Sequence, residues 1–349
     1  MIERLAPEQH DTLDEVPEPS ENPVLVGHGE AQQVLLAAQA AGRLPHAVVL
    51  AGPQGIGKAT FAFHFAKHLL SGATPVGDRF ADVDPHSALF RQVASGAHPS
   101  VLHLTRPANA KGAGFKTVLA VDEIRRIGQF LSLTAPDGAW RVVIVDPADD
   151  LRASAANALL KNLEEPPAAT IFILICHIAG RLMPTIRSRC QIVRLGPLDE
   201  ADLAQALDRV GGVPPGDRTE LLRRADGSVR RAILLHQHGG LEIVSALDEV
   251  LRSPGDVRTQ HRLADAVSGR DRASQFAMFN DHALSLLADA AGDALRSGDG
   301  RRAKRLADTW QEARIAISDT EIYNLDQKQH ALTMIGRLNR ALAGDARRM

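Results

Sequence analysis

A short apolar run that ends in a glycine-rich loop and leads straight into a helix leaves a chain few folds to choose from. Here His46-Ala-Val-Val-Leu-Ala51 is followed by Gly52-Pro-Gln-Gly-Ile-Gly57-Lys58-Ala59-Thr60, and then by a helical run Phe61–Leu70. Glycines let consecutive backbone N–H groups turn towards one anion. A helix N-terminus behind them adds partial positive charge, and a lysine reaches the outer phosphates. Gly52, Gly55, Gly57 and Lys58 are therefore candidate nucleotide-binding residues, against the alternative of a glycine-rich turn that binds nothing. The hydroxyl that usually follows the lysine is missing, because position 59 is Ala. Thr60 lies one place late, roughly 100° round the helix, so it joins the candidate set as a poor Mg²⁺ ligand. ATP or ADP is the expected ligand.

Further apolar runs at 117–121, 141–145, 171–175 and 191–195 alternate with helical stretches from Val24 to about Leu195. Several are apolar on both faces, as strands of a parallel sheet covered by helices on both sides must be. Ala156, Leu159, Leu160 and Leu163 fall at helical spacing, and Pro166-Pro167 stops that helix. The pattern predicts a doubly wound α/β domain. After Gly196-Pro197 the character changes to a small helical unit over 199–238, with Gly211–Gly216 as a connector, and then to long amphipathic stretches such as Phe276–Leu295 and Arg301–Ile317. The expected organisation is a flexible lead-in over 1–22, an α/β nucleotide-binding-type domain over 23–195, a helical lid over 196–243 and an all-α region over 244–349.

Composition narrows the class. At 349 residues the chain exceeds one domain of roughly 100–200 residues. Forty Lys+Arg against forty-two Asp+Glu, a net charge of −2, argue against coating nucleic acid by bulk charge. Cys176 and Cys190 are too few for a disulfide framework or a four-thiolate zinc site, so a reduced, cytoplasmic setting without zinc is expected. No run of about 18 apolar residues suggests a membrane span, and the polar, proline-bearing start does not read as a signal peptide.

The run Val142–Val145 ends in Asp146, the position from which such sites hold the Mg²⁺ shell, with a helix-capping aspartate as the alternative. A water-polarising glutamate would come next, and Pro147 stands there instead. Asp149 and Asp150 fall on the following turn. Without a positioned carboxylate, much of the hydrolytic acceleration is lost.

Ala156-Asn157-Ala158-Leu-Leu-Lys161-Asn-Leu163-Glu164-Glu165-Pro166-Pro167, with Ser188-Arg189-Cys190 beginning 21 residues after Pro167, resembles bacterial DNA polymerase III clamp-loader subunits of the gamma/tau and delta-prime kinds. Arg43-Leu-Pro-His46 and Gly227-Ser228-Val229-Arg230 match as well, in register from Val26 to about Ala232, and Asn324-Leu-Asp-Gln-Lys328 is similar to the collar of delta-prime chains. The resemblance implies an AAA+ P-loop domain with a parallel sheet, a small helical lid and an all-α collar that serves oligomerisation. Ala59, Asp146-Pro147 and the lack of cysteines between 60 and 170 depart from the motor subunits and resemble the delta-prime branch.

That likeness also implies roles. Arg189 would serve in trans as an arginine finger to the neighbouring motor subunit, a device worth 10³–10⁵ in rate; a salt bridge at a domain edge is the alternative. Arg230 matches the sensor arginine of the lid, with Arg231 beside it leaving the choice open. Cys176-His177 replaces a water-positioning Thr or Asn, and Cys176 reads as a buried, inert thiol. Arg301-Arg302-Ala-Lys304-Arg305 reads as a solvated helix face, with a DNA contact as the other reading. The expected function is that of a largely non-hydrolysing subunit of a hetero-pentamer with gamma/tau and delta subunits. Through that complex it would meet the sliding clamp and primed DNA, with no membrane involved. The alternative is an active clamp-loader ATPase of gamma/tau type, favoured by Lys58 and Asp146.

Overall fold

The computed structural model describes residues 4–109, 114–132, 139–214 and 218–343. Two of the connector residues, Pro215 and Gly216, lie outside that set. The chain divides into two compact units, Met1–Arg231 and Ala232–Met349, so the division falls inside the segment expected as one lid.

In the first unit the elements run α1 (Gly29–Ala40), β1 (Ala47–Ala51), α2 (Lys58–Ser71), α3 (Ala88–Ala94), β2 (Val101–Leu104), α4 (Val121–Ser132), β3 (Arg141–Val145), α5 (Ala153–Glu164), β4 (Thr170–Cys176), α6 (Pro184–Arg187), β5 (Gln191–Arg194), α7 (Glu200–Val210) and α8 (Thr219–Ala225). A further helix, α9 (Val229–Gln237), spans the division. The strands form one five-stranded sheet in the order β2-β3-β4-β1-β5, and every pairing is parallel. Strand side chains alternate between faces, and the sheet uses that alternation to build two cores. Val48, Leu50, Ile144, Ile171, Ile173 and Ile175 pack with Leu35 of α1 and with Phe61 and Phe65 of α2. Val49, Ala51, Val143, Val145, Phe172 and Leu174 pack with Ile124 and Ile127 of α4 and with Leu159 and Leu163 of α5. Burial on both faces is why β1 and β4 have no polar alternation. The expected α/β class with a parallel sheet is the fold of this unit.

Two expectations are corrected. Thr117–Val121 is not a strand: Leu119 alone bridges to Leu151, and the chain then enters α4. The fifth strand is β2, whose His103 interrupts the apolar run. Its ring is buried edge-on against Phe63, with the centroids 5.1 Å apart. Residues 4–22, expected as a flexible lead-in, are packed. Val16, Glu18, Ser20 and Asn22 are all buried, at every second position. Pro17 and Pro19 each fix φ, and the chain then turns, with the Glu21 and Asn22 N–H groups donating to the Glu18 carbonyl at 2.9 and 3.1 Å. The partners of Ser20 and Asn22 are polar: Lys67 Nζ donates to the Ser20 carbonyl at 3.1 Å, and a His64 ring nitrogen lies 3.0 Å from the Asn22 carbonyl.

The second unit is helical among its described residues: α10 (Gly240–Arg252), α11 (Val257–Ala266), α12 (Ala273–Arg296), α13 (Gly300–Ile322) and α14 (Gln327–Leu342). A buried polar relay ties three of them. The two ring nitrogens of His330 lie 2.9 Å from Asn280 Oδ1 and 2.9 Å from Thr320 Oγ1. Among the described residues, no helix is long and apolar enough to cross a membrane.

Candidate nucleotide-type site

Open α/β sheets bind ligands at the carboxyl ends of their strands. On this rim stand the glycine loop after β1, Thr105 after β2, Asp146 after β3 and His177 after β4. The loop is closely fitted. A Cβ at Gly52 would lie 2.1 Å from the Leu195 carbonyl oxygen, and one at Gly55 would lie 2.3 Å from Ser228 Oγ. Gly55 and Gly57 take φ of +79° and +97°, which disfavours any side chain. Three successive carbonyls of the loop are held from outside. Ser228 Oγ donates to Gln54 O at 3.1 Å, the Arg230 N–H donates to Gly55 O at 3.3 Å, and His28 Nε2 lies 2.8 Å from Ile56 O. Behind the loop, Lys58, Ala59 and Thr60 begin α2, where backbone N–H groups have no intrahelical acceptor.

Lys58 is buried, and its ammonium donates to the Gly52 carbonyl at 2.8 Å and to the Pro53 carbonyl. Burial lowers its pKa to about 8, opposed by the charges of Asp146 and Asp149. Asp146 is raised to about 7, first by burial and then by the charge of Asp11, against the pull of Lys58. Neither neighbouring aspartate is free to activate water. The Asp149 carboxylate accepts the His177 N–H at 3.0 Å and the Ile178 N–H at 2.9 Å. Asp150 is paired with Arg106, whose Nε lies 2.6 Å from Oδ2. Cys176 is buried, and burial pushes its thiol up to about 12; His177 is lowered to about 4 by the same cause. Both are poor proton carriers at neutral pH. The loop suits a polyphosphate. Ala59, packed against the α2-side core, offers no hydroxyl for Mg²⁺.

The structure brings Gly52, Gly55, Gly57, Lys58, Thr60 and Asp146 to one rim, and Arg230 joins them through its backbone bond to Gly55. Arg231 donates its own backbone N–H to Ser228 Oγ at 3.2 Å. Arg189 lies outside this group. It follows α6, is exposed, and donates to the Thr185 carbonyl at 3.0 Å and to Glu164 Oε1 at 2.7 Å. Sequence reasoning missed His28 and Ser228, which brace the loop, and His10 and Asp11, which reach the rim. Residues 4–22 carry no apolar signal.

Comparison with known proteins places these residues. A family model described as DNA polymerase III, delta subunit matches residues 27–199. The chain is 36% identical over 198 residues to the DNA polymerase III subunit delta' of Pseudomonas aeruginosa, covering 56% of each chain. It is 34% identical over 203 residues to the delta' subunit of Escherichia coli, covering 58% of each. To the tau subunit of Bacillus subtilis it is 27% identical, covering 67% of this chain and 38% of that one. The chain thus spans little more than half the length of the delta' relatives that it matches. Over the matched loop and sheet residues, the chain is similar to DNA polymerase III clamp-loader subunits of the delta-prime kind.

Proposed function

We propose that this chain is a clamp-loader subunit of the delta-prime kind, one that does not hydrolyse ATP. It would join gamma/tau and delta subunits in a hetero-pentamer, in the cytoplasm at the replication machinery. That assembly would open the sliding clamp and place it on primed DNA. The observation that carries the reading is the commitment of the two carboxylates that follow Asp146 and Pro147. Pro147 follows Asp146, Asp149 is held by two backbone N–H groups, and Asp150 is held by Arg106. A loop that fits phosphates, with Asp149 and Asp150 already engaged, suits binding ATP or ADP without turnover. Lys58, Thr60, Asp146 and Arg230 would line that pocket, with Mg²⁺ weakly held because residue 59 has no hydroxyl. The helices of residues 244–349 would form the collar.

Arg189 supports a role in trans. Its partner Glu164 is itself about half exposed, and an exposed pair of this kind is worth about 0–1 kcal/mol. The guanidinium can therefore leave Glu164 for a phosphate on a neighbouring subunit. Arg189→Ala should leave folding and assembly intact and slow clamp- and DNA-stimulated ATP hydrolysis of the reconstituted loader by roughly 10³ or more. Arg189→Lys should not restore it, since an ammonium lacks the planar bidentate contact. Lys58→Ala should matter far less. A larger loss from Lys58→Ala than from Arg189→Ala would make this chain a gamma/tau-type motor instead.

A further inference from the structure

Residues 4–22 are built into a closed loop with its tip on the nucleotide-type rim. The Glu21 carboxylate accepts the N–H groups of Leu5, of Ala6 at 2.7 Å and of Glu18 at 3.1 Å, which ties the two ends of the loop together. Arg4 crosses inside it to the carbonyls of Leu13 and of Val16, the latter at 3.1 Å. On one side the loop is fastened to the α/β domain. Ser20 Oγ donates to the Ala94 carbonyl at 3.1 Å, and Lys67 and His64 hold Ser20 and Asn22.

At the tip, His10 Nδ1 lies 3.3 Å from Thr105 Oγ1, at the end of β2. The Arg230 guanidinium donates to the Asp11 carbonyl, with the Asp11 carboxylate at 4.0 Å. The negative charge of Asp11 is felt at Asp146 and at His177, the ends of the two strands between β2 and β1. A polyphosphate approaching Lys58 would therefore meet a carboxylate of like charge, and an arginine already engaged.

We propose that residues 4–22 are a tethered competitor that closes the nucleotide-type site, with the Asp11 tip holding Arg230 away from phosphate until the loop lifts. The proposal rests on the nucleotide-binding reading above and adds its control. A site competent only when the loop is off binds with an affinity reduced by the open fraction. By reciprocity, bound nucleotide must raise the open fraction by the same factor. The lifted loop would leave Lys67 without the two carbonyls that now face it, so closure is the resting state.

The test uses the full chain and ATP itself. Val16→Asp places a charge at a buried loop position, and Glu21→Ala removes the tie between the loop ends. Both changes lie away from the residues that would touch nucleotide. Calorimetric titration should show each variant binding ATP about tenfold or more tighter than the wild type. In the wild type, saturating ATP should speed amide hydrogen exchange over residues 5–16. Equal affinities together with unchanged exchange would overturn the closing role while leaving nucleotide binding in place. If neither the wild type nor either variant binds at millimolar ATP, with thermal melts showing all three folded, nucleotide binding itself fails and the proposal falls with it. The exchange measurement decides the matter even if a variant does not fold.

Discussion

Asp149 separates a structural carboxylate from a catalytic one, and its replacement by alanine can be worked through in numbers. Its carboxylate accepts two backbone N–H groups, those of His177 at 3.0 Å and Ile178 at 2.9 Å, where the chain leaves β4. A hydrogen bond to a charged group contributes about 1.5–3 kcal/mol, and a buried donor left without an acceptor bears the desolvation cost. Two such bonds set an upper range of about 3–6 kcal/mol. Relief of the repulsion that Asp149 exerts on Asp146 offsets part of it, and its attraction for Lys58 is lost. A net loss of about 3 kcal/mol follows, or roughly 6–12 °C in Tm for a unit of this size. Asp149→Asn should cost about half as much, because Oδ2 alone faces both donors at 3.0 and 2.9 Å and an amide oxygen can take its place. Urea denaturation followed by circular dichroism measures all three proteins, and an ATPase assay of the isolated chain runs beside it. Asp149→Ala with wild-type stability, or wild-type turnover that Asp149→Asn abolishes, would make Asp149 a catalytic group and refute the reasoning.

Acid should weaken the second unit through His330, whose pKa burial lowers to about 4. The unfolded chain then binds more protons than the native one between about pH 4 and 6.5, so this contribution is complete above pH 6.5 and falls by about 2 kcal/mol at pH 5. The urea midpoint of the wild type should drop over that range and that of His330→Gln should drop less; parallel profiles would remove His330 as the cause. Gly52→Ala should destabilise the first unit by more than about 3 kcal/mol, because its Cβ would meet a backbone oxygen at 2.1 Å. Gly180→Ala, with no atom within 4 Å of the added Cβ, is the control, and equal melting temperatures for the two variants would show that the loop yields.

The same chemistry that suits this rim for phosphate has been turned inward. Lys58 donates to carbonyls of its own loop, Arg230 donates to the N-terminal loop, and Asp149 accepts from the backbone after β4. Each of these interactions engages a charged group of the rim within the chain itself.

What the sequence determined by itself is whatever depends on neighbours along the chain. β1, β3 and β4 are legible because burial on both faces demands uninterrupted apolar runs, and α2 and α5 because their apolar spacing is helical and their ends are marked by glycine or by Pro166-Pro167. The phosphate loop and the missing carboxylate at Pro147 are legible for the same reason, since their chemistry is set by consecutive residues. Tertiary structure alone decided the rest. Leu119 looks like the centre of a strand, yet Leu151 is its single bridge partner. His103 looks like a break, yet it is a strand residue because Phe63 packs against its ring. Arg230 and Arg231 are adjacent in sequence, and only the folded chain brings the Arg230 N–H to the Gly55 carbonyl. Residues 4–22 lack apolar side chains enough to announce packing, and they are held by hydrogen bonds to Lys67, His64, Ala94 and Arg230, groups spread from position 64 to position 230. Hydrogen bonds need a partner at a particular place, and a linear pattern carries no record of where the partner stands.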